Sequence, residues 1–233
     1  MQKNDILKRI RCGLIVSCQA LEAEPLHGSE IMARMALAAK MGGAVGIRAN
    51  TVADINEIRK TVDLPIIGII KQEYTDSDVY ITPTLNEVEQ LINSAADIVA
   101  LDATARKRPG GVEIETLIQR IKESGKLVMA DISTVSEGIA AAEKGVDVIS
   151  TTMSGYTPYS PQITEPDYDL IKALSTKLEI PVNAEGRIVT PEQLINCFKN
   201  GAYSVVIGAA ITRPQLITKA FVEAIDDYHQ KIV

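Results

Sequence analysis

Histidine is nearly missing from this 233-residue chain, tryptophan is absent, and the three cysteines stand far apart. Each shortage removes a class of chemistry. His27 falls in a loop after the first apolar run and His229 in the C-terminal tail, so catalysis by histidine and histidine-held metals are both disfavoured. The spacing of cysteine, histidine and carboxylate residues offers no metal site either. Cys12, Cys18 and Cys197 form no Cys-x-x-Cys pair, and an odd count without a framework reads as reduced thiols in the cytosol. Cys18 itself reads as a small buried apolar residue rather than a nucleophile. The first ten residues, Met-Gln-Lys-Asn-Asp-Ile-Leu-Lys-Arg-Ile, hold no apolar leader, and no run approaches the roughly 18 residues of a membrane span. A cytoplasmic protein is expected. Positive charge is in deficit, at 24 Lys and Arg against 30 Asp and Glu for a net −6. That argues against nucleic acid and membrane surfaces as partners, since both are anionic. A small anionic ligand remains open, because a few local donors suffice for it.

What the chain does have is a rhythm of short apolar runs with helical material between them. Eight are expected as strands: Leu14–Cys18, Ala44–Arg48, Ile66–Ile70, Ile98–Leu101, Leu127–Asp131, Val148–Thr152, Val182–Glu185 and Ser204–Ile207. Continuous Val- and Ile-rich runs of this length fit strands buried on both faces, and the spacing leaves room for a crossover helix between most neighbours. Helix starts are marked by Thr190-Pro191 and by Thr134 with Glu137 three residues on; helix ends by Gly42-Gly43, Gly125, Gly145 and Gly201. A faint recurrence of small, polar and aliphatic residues before the fourth, sixth and eighth runs agrees with similar βα units. An α/β protein with a single (β/α)8 TIM barrel follows. One domain covers residues 1–233, with a short N-terminal helical segment over about 1–12, and the length is near the roughly 250 residues typical of the fold.

Four charged residues, Arg48, Lys71, Asp131 and Glu185, close four of these runs, and strand ends are where such barrels carry their active sites. Lys71 follows an almost wholly apolar run. Desolvation and a nearby cation would make its amine a usable base near neutrality, while nearby carboxylates push the other way. Glu185 and Asp131 read either as catalytic groups or as orienting partners for Lys71 and Arg48. Gln19 closes the first strand. Gly186 and Arg187 after the seventh strand, with Gly208 and Arg213 after the eighth, read as a phosphate pocket, glycine admitting the anion and arginine adding donors. Arg106, Lys107 and Arg108 look like a solvated loop. The segment 154–167, with three Pro and two Tyr, is long enough to cover a site; Gly155-Tyr156-Thr157 within it could line the mouth, though tyrosine in a proline-rich loop is more often packing.

Taken together, Ile15-Val-Ser-Cys-Gln-Ala-Leu, Gly42-Gly-Ala-Val-Gly-Ile-Arg-Ala-Asn, Leu64-Pro-Ile-Ile-Gly-Ile-Ile-Lys and Ala100-Leu-Asp-Ala-Thr resemble the N-acetylmannosamine-6-phosphate 2-epimerases. Met129-Ala-Asp-Ile-Ser, Thr151-Thr-Met-Ser-Gly-Tyr-Thr, Ala184-Glu-Gly-Arg-Ile and Gly208-Ala-Ala-Ile-Thr-Arg-Pro extend the match to every strand. The resemblance implies a ribulose-phosphate-binding-barrel-like fold and an isomerase that interconverts N-acetylmannosamine 6-phosphate and N-acetylglucosamine 6-phosphate in sialic acid catabolism, with no cofactor. It implies Lys71 as acid/base and Glu185 as its partner carboxylate. Gln19, Arg48 and Asp131 would contact the sugar, and the Gly186, Gly208 and Arg213 loops would hold the phosphate. Asn183 departs from the family, whose members usually carry an aliphatic residue there. The implied partner is a small phosphorylated amino sugar, and a homodimer is an accompanying expectation. Two rivals stand on the residues alone: a barrel aldolase using Lys71 as a Schiff-base nucleophile, and a sugar-phosphate binding protein without turnover.

Overall fold

Apolar strands separated by amphipathic helices can bury both faces of a parallel sheet, and this chain does so by closing the sheet into a barrel with the helices outside. The computed structural model describes residues 3–232. Helix α1 (Lys3–Ile10) precedes β1 (Leu14–Cys18) and α2 (Ser29–Met41). Then come β2 (Gly46–Asn50), α3 (Val52–Thr61), β3 (Ile66–Ile69), α4 (Leu85–Ile92), β4 (Ile98–Asp102) and α5 (Ile114–Glu123). The second half continues with β5 (Leu127–Asp131), α6 (Val135–Glu143), β6 (Val148–Ser150), α7 (Tyr168–Lys177), β7 (Val182–Glu185) and α8 (Pro191–Lys199). It finishes with β8 (Ser204–Ile207), the short α9 (Ala209–Thr212) and α10 (Pro214–Ile232). All eight strands pair in parallel and in chain order, and β8 closes on β1.

Strands β1, β5, β7 and β8 span the residues expected from the sequence. The second does not: it runs from Gly46 to Asn50, so Arg48 sits in mid-strand rather than at its end. Lys71 likewise lies two residues beyond the last residue of β3, where it makes an isolated bridge to Ile81. The expected helical segment over about 1–12 is α1, Lys3–Ile10; residues 1 and 2 lie outside the described residues.

Two layers of apolar packing follow from the period-two alternation of the strands. One set of side chains, including Ile67, Ile98, Met129 and Val206, fills the barrel interior, and α1 closes its floor with buried Ile6 and Ile10. The other set faces the helices. The floor is tied down from the wall, since Tyr203 on the turn before β8 donates its hydroxyl to the Leu7 carbonyl at 2.9 Å. Thr84, Thr134 and Thr190 each form a capping box with the residue three places on, which fixes where α4, α6 and α8 begin. With α1 sealing one end, the strand C-termini open at the other.

Candidate active site

A cavity of about 400 Å³ occupies that open end. It brings Gln19, Arg48, Lys71, Glu185, Gly186, Arg187, Gly208 and Arg213 to one wall system, although they come from five separate βα units. Asp131 is the exception: fully buried, it lies beneath the cavity rather than in its lining.

The reason is Arg48. Its guanidinium reaches from mid-β2 across the barrel and is 1% exposed. Nη1 and Nη2 donate to the two Asp131 carboxylate oxygens at 3.1 and 2.6 Å, a fork-to-fork pair, and Nη1 also donates to Glu185 Oε2 at 2.5 Å. Burial opposes the charge on Arg48, but Asp131 and Glu185 more than offset it and hold its proton above the ordinary range. Asp131 therefore acts as the anchor of the arginine, and Arg48 in turn fixes Glu185. Thr152, in the 3-10 turn after β6, sits between the carboxylates, with its hydroxyl 2.8 Å from Asp131 Oδ1 and 3.1 Å from Glu185 Oε2.

Lys71 and Glu185 are both pushed toward their neutral forms. Burial lowers the lysine ammonium to about 8, helped by the positive fields of Arg48 and Arg213, against the opposing pull of Glu185 and Glu24. The balance that residue types alone left open thus falls on the side of a usable amine base. Glu185 is raised above the usual carboxylate range, first by burial and then by Asp131, with Arg48 working in the opposite direction. A carboxyl and an amine, each shifted toward its neutral form and both facing one cavity, are the kind of acid and base that proton transfer at a carbon acid requires. Gln19, almost fully buried, is held by a 2.8 Å hydrogen bond from its Nε2 to Ser17 Oγ.

The far end of the cavity is formed by the turns after β7 and β8. Gly186 has φ of +113°, where any other residue would be strained, and adding a Cβ there would meet nothing within 4 Å. The space in front of that backbone is open. Arg213 pairs with Glu24 at 2.9 Å while still lining the cavity. Arg187, in the left-handed region at φ +56°, turns its side chain over the loop 154–167. It donates to the Ser154 carbonyl at 2.6 Å and the Glu165 carbonyl at 2.9 Å, and stacks over Tyr156. Its guanidinium clamps that loop, which was not apparent from its place in a glycine turn. Gly155, at φ +79°, leaves no room for a side chain, since a Cβ would come within 2.5 Å of Arg187 Nη1.

Tyr156 lines the cavity mouth at 57% exposure instead of packing inside. Two of the three charged residues at 106–108 are not solvated: Arg106 pairs with buried Asp102 at 2.6 Å, and Arg108 is 5% exposed. Cys18 is buried as expected, and burial pushes its thiol up to about 12. Asn183 points into the barrel below Glu185 and accepts from Ser204 Oγ at 2.7 Å; its amide nitrogen is buried without a partner. Sequence reasoning missed Ser17 and Tyr80. Ser17 alternates with the outward residues of β1 and could have been read from strand period; Tyr80 comes from an irregular loop and carried no signal.

Comparison with known proteins places the chain in a family. The family profile described as "Putative N-acetylmannosamine-6-phosphate epimerase" matches residues 32–227. A Clostridioides difficile (strain 630) protein named "Putative N-acetylmannosamine-6-phosphate 2-epimerase" is 56% identical over 221 residues, covering 95% of this chain and 99% of the relative. One of the same name from Caldanaerobacter subterraneus subsp. tengcongensis is 54% identical over 225 residues, covering 96% and 95%. Among solved structures, the N-acetylmannosamine-6-phosphate 2-epimerase of Clostridium perfringens superposes with a TM-score of 0.93 at 54% identity, covering 94% of this chain and 96% of that one. A Thermoplasma acidophilum (S)-3-O-geranylgeranylglyceryl phosphate synthase, at 18% identity and a TM-score of 0.61, shares the fold alone. The chain belongs to the N-acetylmannosamine-6-phosphate 2-epimerase family.

Proposed function

We propose that this chain is an N-acylglucosamine-6-phosphate 2-epimerase, interconverting N-acetylmannosamine 6-phosphate and N-acetylglucosamine 6-phosphate. The observation that carries the reading is Lys71, an amine held at about 8 in the same cavity as Glu185 and Arg48. Inverting C2 means breaking its C–H bond next to the C1 aldehyde of the open-chain sugar. The bonding pair moves into a C1–C2 double bond and the charge settles on O1. Lys71, neutral before the step, takes the proton and becomes an ammonium. Return of a proton to the opposite face of C2 restores the aldehyde. Nothing is oxidised or reduced, so the step needs a base, donors near O1 and an anchor for the substrate.

The charges in the site support this assignment. Arg48 and Asp131 cancel, leaving Lys71 and Glu185 to hold one proton between them with no net charge in either arrangement. The proton taken from C2 turns Lys71 into an ammonium, and the positive charge it brings is offset by the enolate oxygen formed in the same step. Gln19, held at the cavity wall, supplies an amide near O1, and Glu185 sets the protonation of the lysine or assists ring opening. The phosphate would lie against the open backbone of Gly186 and the turn at Gly208, with Arg213 alongside.

The same reading takes residues 1–233 as one barrel domain, supported by α1 and α10 flanking the closed barrel. It takes the protein as cytoplasmic, supported by three free thiols, and as a homodimer, supported by the exposed apolar residues of α10.

Proton NMR of N-acetylmannosamine 6-phosphate with the protein in deuterated water should give N-acetylglucosamine 6-phosphate carrying deuterium at C2. Lys71→Ala should reduce C2 exchange by at least about a thousandfold, the scale of a lost general base. Exchange at the native rate in that variant would remove Lys71 from the role. Borohydride trapping of a substrate adduct would favour the aldolase instead.

A further inference from the structure

Resting on that epimerase reading, Thr152 at the end of the sixth apolar run carries a role of its own. Thr152 Oγ1 is within hydrogen-bond distance of Asp131 Oδ1 at 2.8 Å, Glu185 Oε2 at 3.1 Å and Ser150 Oγ at 2.8 Å, and Arg48 Nη1 donates to it at 3.3 Å. Two of those neighbours are carboxylate oxygens, yet a threonine hydroxyl has one proton to give. It can satisfy Asp131 or Glu185, not both at once.

We propose that Thr152 is a positioning residue that shares its single hydroxyl proton between Asp131 and Glu185 and thereby sets which protonation state Glu185 holds during turnover. While Glu185 is ionised, Thr152 donates to Oε2 and stabilises the charge. When Glu185 takes up a proton, Thr152 turns to Asp131, which keeps its ion pair with Arg48, and its lone pair is free to accept from the new carboxyl O–H. Only a side chain that both donates and accepts can serve both states. The groups around the pair are Arg48 from β2, Lys71 and Tyr80 from beyond β3, and Ser150 at the end of β6, whose hydroxyl lies 3.4 Å from Glu185 Oε2. Arg48 is locked by Asp131, and Ser150 Oγ is farther from Glu185 than Thr152 Oγ1 is. The hydroxyl that can follow the proton is therefore that of Thr152.

Removing the donor leaves the ionised form of Glu185 less stabilised, so its proton is held to higher pH. In Thr152→Val the acid limb of kcat/KM, read by C2 deuterium exchange, should move up by roughly half to one pH unit, a threefold to tenfold rise in proton affinity. Thr152→Ser, which keeps the hydroxyl, should return the limb to its wild-type position. Titration of the ¹³C-labelled Glu185 side-chain carboxyl in substrate-free protein, assigned by its loss in Glu185→Gln, should show the same displacement. Thr152→Ala serves if the valine variant does not fold. A lower kcat with both the acid limb and the carboxyl titration unmoved would make Thr152 a packing residue and overturn the proposal. A wild-type protein that exchanged no C2 proton would sink the epimerase reading instead, and the ¹³C titration would still decide the role of Thr152.

Discussion

At the scale of single residues, the fold expends stability on Lys71. Its ammonium is held at about 8 when folded, against 10.5 in an unfolded chain. Between those values the unfolded chain binds a proton that the folded one does not, so stability rises with pH across that window; below pH 8 the full cost is present. Lys71→Met should therefore be more stable than wild type at pH 7 by up to about 3 kcal/mol, and the gap should close as pH rises from 8 to 10.5. Urea melts at a series of pH values would read this. A gap that did not vary with pH would mean that the amine is not held in a desolvated place.

Among elements, the loops around the cavity are organised by α6. Its N3 residue, Glu137, is 6% exposed and accepts five hydrogen bonds. Three come from Ser133 N, Ser133 Oγ and Thr134 N just before the helix. The other two come from Ala105 N after β4 and the Tyr159 hydroxyl of the loop 154–167. The capping box was legible from Thr134 and Glu137 alone. The two long-range partners were not, because they lie 32 and 22 residues away. Glu137→Ala, which orphans donors in three loops, should cost about 3 kcal/mol, while Thr134→Ala should cost about 1 kcal/mol. Only the first should make the 154–167 loop sensitive to protease. Equal effects from both would reduce Glu137 to an ordinary cap.

The same divide explains the boundaries. Strands β1, β5, β7 and β8 were readable because each apolar run stops where its strand stops. Strand β2 was placed two residues early because a charge reads as a strand end, and Arg48 breaks that rule. Its partners lie 83 and 137 residues away in the chain, so the neutralisation that lets a guanidinium sit inside the barrel is invisible locally. Arg106 also leaves solvent through an ion pair, but its partner Asp102 is only four residues back, so that pairing was within local reach of the sequence.

For the molecule as a whole, the barrel is sealed at one end by α1 and open at the other, so chemistry is confined to a single mouth. Beyond it runs α10, whose Phe221, Ile225 and Tyr228 remain exposed at 71, 54 and 63%. Such a stripe, three and four residues apart on a 19-residue helix, is what a second copy would cover. Sedimentation equilibrium should return twice the 25.2 kDa chain mass, and Ile225→Lys should shift it toward the single-chain value. Wild type at the chain mass would remove the homodimer.

The Arg187 clamp joins two parts of the mouth. Its backbone belongs to the turn beside Gly186, where the anion is proposed to sit, while its guanidinium holds both ends of the loop 154–167, at Ser154 and at Glu165. The turn and the cover are thereby tied like two panels on one bracket, so that a displacement of either pulls on the other through those two carbonyls.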